Sequence, residues 1–166
     1  MRKYLLYFLI LCCPWLALSA QQRITFAELP PFERAVVCVK YFEGWHGKSK
    51  YPYVGYGHQL QRGETFTSDM PEWQADSLLR ADLMAQIDRF KGYGKDALLL
   101  ALLAYNVGAG RLIGTKTQRK SQLLRKIEAG ERNILHEYLS YCHCKGKLLR
   151  GFLQRRKAEF LLFFIP

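Results

Sequence analysis

Acidic side chains are scarce in this chain. Fourteen Asp and Glu stand against 25 Lys and Arg in 166 residues, a formal net charge of +11. Long apolar runs are scarcer still. Residues 4–18 are the one uncharged apolar stretch long enough to matter for a membrane, which excludes a polytopic membrane protein. No repeat period or low-complexity block is present, so solenoids and biased tails are excluded. Cysteine is too sparse for a disulfide scaffold, with five in all and two of those at Cys12 and Cys13. What the chain does have is 49% apolar residues, enough to bury a core, and a length that suits one domain.

The first residues read as an address. Arg2 and Lys3 precede the apolar run, and small residues Ala17, Ser19 and Ala20 follow it before Gln21. That order is the one of a secretory signal peptide, here residues 1–20 with cleavage after Ala20. An uncleaved N-terminal anchor is the alternative, although the run is short for a stable span. Removal of residues 1–20 leaves Cys38, Cys142 and Cys144. A bridge from Cys38 to Cys142 or Cys144 is then feasible in an oxidising compartment. Cys142-His143-Cys144 lacks the spacing and the second ligand pair of structural zinc, so no metal and no cofactor are expected.

The charge is uneven. Residues 21–115 hold 11 basic and 10 acidic side chains, and residues 116–166 hold 12 basic and 4 acidic, a balance of +8. A patch of that sign draws a molecule toward polyanions, whether nucleic acid, anionic lipid or wall polymer. A solvated helical face accounts for it equally well. Nucleic acid is disfavoured as a partner, because no nucleic-acid motif is present and the leader directs the chain elsewhere.

Periodicity predicts a mostly helical α+β domain. Pro30-Pro31 opens a helix whose Ala35, Val36, Val39 and Phe42 share a face, and Gly44 ends it. Residues 44–63 hold five glycines and four aromatics, with residues 51–56 reading as a short strand. Pro71-Glu72 starts the next helix, on which Trp73 is expected in the core. Residues 97–105 are apolar all round and should form the buried centre. Ser121 and Gly130 bracket a further helix. Two more are expected near residues 132–141 and 147–163, with the apolar residues 160–165 packed as a helix end.

One acid is badly placed for stability. Glu43 ends the first helix, where the dipole is negative, between Phe42 and the Gly44-Trp45 pair. Both the dipole and aromatic desolvation disfavour its charged form, which suits a general acid. Trp45 either stacks on a ligand or fills a seam. A solvated helix-end Glu is the plain alternative.

Five fragments in order then carry a resemblance. They are Tyr41-Phe42-Glu43-Gly44, Tyr53-Val54-Gly55-Tyr56-Gly57-His58, Ala75-Asp76-Ser77-Leu78-Leu79-Arg80-Ala81-Asp82-Leu83, Ala104-Tyr105-Asn106-Val107-Gly108-Ala109-Gly110 and Gly151-Phe152-Leu153-Gln154-Arg155-Arg156-Lys157-Ala158-Glu159. Together they resemble the phage-type lysozyme family (glycoside hydrolase family 24). The short insert and the Gly-His-Gln-Leu continuation are also similar to lysozyme-like proteins of Bacteroidetes conjugative transposons. The resemblance implies a lysozyme-like fold over residues 21–166, with a small β-hairpin insert after the first helix and a helical C-terminal lobe. It implies hydrolysis of the β-1,4 bond between N-acetylmuramic acid and N-acetylglucosamine in peptidoglycan, with Glu43 as general acid. Tyr53, Tyr105 and Asn106 map to substrate-binding positions. His58 and Asp82 map to a structural pair tying insert to helix, and Arg155 and Arg156 to docking of the last helix, although both arginines could instead contact wall carboxylates. An exported monomer follows, periplasmic or extracellular, acting on the wall in remodelling or lysis, with a secretion or conjugation apparatus as a candidate partner.

The sequence also departs from the family. The family usually carries an Asp, sometimes a Cys, in the insert and then a Thr. Here no Asp or Glu lies between Gly44 and His58, and Tyr53 stands at the Thr position. Glu64 and Asp69 are candidate stand-ins, though they fit a turn and a helix start equally well. His46, Ser49 and Tyr51 are candidates to position water. Cleavage without water, as in lytic transglycosylases, and a non-catalytic wall binder remain as alternatives.

Overall fold

The computed structural model describes residues 25–144 and 146–166. The leader expected at residues 1–20 lies outside them. Among the described residues, no helix is long and apolar enough to cross a membrane. The order is α1 (Pro31–Glu43), β1 (Tyr53–Val54), β2 (His58–Gln59), α2 (Glu72–Phe90), α3 (Ala97–Val107), α4 (Gly110–Ile113), α5 (Gln122–Glu128), α6 (Leu135–Leu139), β3 (His143–Cys144), β4 (Lys147–Leu148) and α7 (Arg150–Phe163). Short 3-10 turns fill several joints. The fold is mostly helical α+β, as the sequence predicts.

α1 starts with proline at its first position, where the missing amide costs nothing. It buries Ala35, Val36, Cys38 and Val39 and stops at Gly44, whose φ of 64° needs glycine. The chain then turns into the hairpin β1–β2, with Val54 opposite His58. Gly55 at its tip has φ +57°, and a Cβ there would sit 2.8 Å from the Ala75 Cβ of α2. This close approach seats the hairpin on α2, over a small core of Val54, Met70 and Ala75. Gly55→Ala is therefore expected to cost on the order of 1–3 kcal/mol, read as a lowered urea midpoint. An unchanged midpoint would mean the hairpin does not need this contact.

α3 is the centre of the main core. Ala97 and Leu99 to Ala104 are all buried, as an apolar-all-round helix must be. α5 opens with the Ser121 hydroxyl accepting the Leu124 amide at 3.2 Å. α7 closes the molecule against α3 and α6, with Phe163 buried and Phe160 stacked on Phe164 at 4.4 Å.

Several expectations need correction. The helix expected near 132–141 is only the five residues of α6 and a 3-10 turn. Arg132 is held outside it by a two-pronged pair with Asp96 at 2.7 and 2.9 Å. A second hairpin, β3–β4, replaces the expected start of the last helix, turning at Gly146 with φ 77°. Cys38, Cys142 and Cys144 are free, so the anticipated bridge is absent among the described residues. Cys38 is buried on α1, and burial pushes its thiol up to about 11, which makes it inert. Trp73 is 70% exposed, because α2 turns Ala75, Leu79 and Leu83 inward instead.

Candidate active site

Glu43 is the last residue of α1, at the meeting of hairpin, α3 and α7. Its Oε1 accepts Arg155 Nη1 at 2.6 Å and Asn106 Nδ2 at 3.3 Å. Its Oε2 faces His46 Nε2 at 3.8 Å and the backbone of Gly57, where a Cβ would lie 3.6 Å away. The side chain keeps a little contact with solvent.

These contacts belong to a closed ring. Arg155 Nε donates to Glu159 Oε1 at 2.8 Å, and Arg156 Nη2 donates to the same oxygen at 3.2 Å. Arg156 Nη2 also donates to Asn106 Oδ1 at 3.1 Å, and the Asn106 amide returns to Glu43. Tyr138 braces the ring by donating its hydroxyl to Glu159 Oε2 at 2.8 Å. Arg155, Arg156 and Glu159 are buried. Wall contact by the two arginines is thereby excluded, and the docking role stands, but with more to it than docking. Arg155 touches the carboxylate of Glu43 itself. Sequence reading missed this. The available signal was Glu159, an acid between Ala158 and Phe160, one turn beyond Arg155.

The side chains that line the adjoining cleft of about 630 Å³ include Tyr53, Gly57, His58, Glu64, Asp82, Tyr105 and Asn106. Tyr53, His58, Asp82, Tyr105 and Asn106 are thus brought together around it, whereas Glu43 is not among its lining residues and meets it through Gly57, against whose backbone its carboxylate lies. Tyr105 donates its hydroxyl to the Tyr56 carbonyl at 2.9 Å, fastening α3 to the hairpin tip. Burial raises that hydroxyl's pKa, helped by the charges of Asp82 and Glu43. Tyr105 thus offers the cleft its ring. Tyr53 is half-exposed on the opposite wall. Trp45 is also half-exposed and packs edge-on to Tyr56. Of the three candidate water-positioning residues, only His46 reaches Glu43. Ser49 and Tyr51 are exposed and outside this cleft. Asp69 is likewise outside it, paired with Lys48 at the surface.

His58 links β2 to α2 through Asp82, with Nδ1 to Oδ2 at 2.8 Å, and its Nε2 meets Glu64 at 2.8 Å. Carboxylates on both ring nitrogens are satisfied together only by the imidazolium. Burial works against that charge, but the hydrogen bonds of Glu64 and Asp82 outweigh it and raise the His58 pKa. Asp82 itself is raised, since its own burial exceeds the pull of His58. The stabilisation from charged His58 is complete below its ordinary value of 6.5 and is lost as pH rises through the raised folded value. Going from about pH 6 to about pH 9 should then lower the melting temperature more in the unmodified protein than in His58→Asn. Parallel curves would show that His58 is neutral in the fold.

The family model for phage lysozyme matches residues 40–159, a span that runs from three residues before Glu43 to the Glu159 of the ring. The chain belongs to the phage lysozyme family. That makes it a glycosidase-type enzyme of the muramidase kind, for which peptidoglycan is the fitting substrate. No curated protein matches the chain.

Proposed function

We propose that this protein hydrolyses the β-1,4 bond between N-acetylmuramic acid and N-acetylglucosamine in peptidoglycan, with Glu43 as the general acid. The observation that carries this is the ring. A lone acid at a helix end is one of five side chains in that ring, with Arg155 and Asn106 on one of its oxygens and the other turned to His46 and the Gly57 backbone. Oε2, away from Arg155 and Asn106, is the oxygen to carry the proton. Its transfer to the glycosidic oxygen leaves a carboxylate on which Arg155 and Asn106 already rest, so the developing charge meets fixed donors. The Tyr53 and Tyr105 rings and the Asn106 amide border the sugar path, and His58 with Asp82 keeps the hairpin wall in position.

The protein works outside the cytoplasm in this reading, periplasmic or extracellular, as an exported monomer in local wall remodelling or lysis. A secretion or conjugation apparatus would supply the location. The missing acid between Gly44 and His58 favours a second reading, in which the sugar's own C6 hydroxyl replaces water. Digestion of purified sacculi by the purified protein separates them. Muropeptides with reducing ends, measured by mass, support hydrolysis. 1,6-Anhydro ends would mean transglycosylase chemistry. Pelleting with sacculi but no release would leave a wall binder and sink the enzyme.

A further inference from the structure

Hydrolysis needs a group to activate water, and the cleft holds a carboxylate suited to it. Glu64 lies in the turn after β2. Both of its hydrogen bonds end on one oxygen. Oε2 accepts the Gln61 amide at 2.7 Å and His58 Nε2 at 2.8 Å. Oε1 has no hydrogen-bond partner among the described residues, and the side chain is 29% exposed. The carboxylate is thus anchored at one end and open at the other, on the wall of the cleft.

It is connected to Glu43 through the hairpin. Gly57 backs against the Glu43 carboxylate, and the next residue, His58, bonds Glu64. Consecutive residues of the hairpin therefore touch the two acids, Gly57 by the approach of its backbone to Glu43 and His58 by a hydrogen bond to Glu64. The Gln61 amide and then His58 keep Glu64 below the usual carboxylate range, hence charged at neutral pH.

From this placement we infer that Glu64 is the general base of the reaction, taking the place of the acid absent from the insert. The inference rests on the hydrolytic reading above. Oε1 takes a proton from water, the water oxygen bonds the anomeric carbon, and the bond from that carbon to O4 breaks. The electron pair goes to O4, which takes the proton of Glu43. Glu43 ends charged and Glu64 protonated, and solvent resets both.

Glu64→Ala and the isosteric Glu64→Gln, each shown by thermal melting to be folded at the assay temperature, test this on sacculi with and without sodium azide. Azide attacks without a base, so it replaces the missing step only where a base was removed. Release by Glu64→Ala should fall about 100-fold or more and be partly restored by azide, with a glycosyl azide among the products. Glu43→Gln should not be restored. Near-normal release by both Glu64 variants would overturn the assignment while leaving the muramidase reading intact. Loss that azide cannot restore would mean that Glu64 acts only by holding His58, and would also overturn it. Anhydro products from the unmodified protein would remove the need for any base. No release at all would sink the muramidase reading, and this one with it.

Discussion

Glu159→Gln is expected to lower the free energy of unfolding by about 3–5 kcal/mol, the usual cost of breaking a buried pair by removing one partner. Glu159 Oε1 is shared by Arg155 and Arg156, and Oε2 takes the Tyr138 hydroxyl. All three charged side chains are within 3% of full burial. Glutamine has the right shape but no charge. It would turn an amide toward either the guanidiniums or the tyrosine. Arg155 Nη2 and Arg156 Nε and Nη1 are already buried without a partner among the described residues, so no spare acceptor waits to compensate. Arg155 would then keep Glu43 as its acidic partner and Arg156 would keep none among the described residues. Urea denaturation measures the change, and a loss under about 1 kcal/mol would mean that the ring relaxes freely.

The second large effect is on activity. Glu43→Gln should reduce release of muropeptides at least about 1,000-fold, within the range for losing a positioned general acid. The leaving sugar oxygen departs poorly as an anion, and an amide has no proton of suitable acidity to give it. The fold should tolerate the change better than it tolerates Glu159→Gln. Glu43 keeps some access to solvent, and a glutamine oxygen can still accept Arg155 Nη1 and Asn106 Nδ2 at the sites that Oε1 now serves.

These two residues also show what the sequence discloses and what it conceals. Glu43 was visible because its disadvantage is local: an acid at the negative end of a helix, beside Gly44 with its positive φ. The apolar run of α3 and the Ser121 cap were visible for the same reason. Glu159 and Arg155 were not visible as site residues, because their meaning comes from Glu43, 112 residues away from Arg155 in the chain. Counted by charge, Arg155 and Arg156 looked like part of a basic surface. In the fold they are internal, and Lys120, Lys126 and Arg132 from the same third are paired with Glu128, Glu131, Glu137 and Asp96. Of the acids that pair with this third, only Asp96 and Glu43 come from outside it, so most of its excess charge stays uncompensated by these pairs. Trp73 failed for a related reason. Helical spacing says which residues share a face, but only packing says which face turns inward. The β3–β4 hairpin is exposed on both faces and leaves no alternation to read.

The central claim is that Glu43 donates the proton that frees the glycan chain. The direct measurement is the rate of reducing-end formation from one batch of sacculi by the unmodified protein and by Glu43→Gln, both shown to be folded by thermal melting. The account predicts rapid formation by the first and about a thousandth or less by the second, at similar melting temperatures. Equal rates from two folded proteins would contradict it.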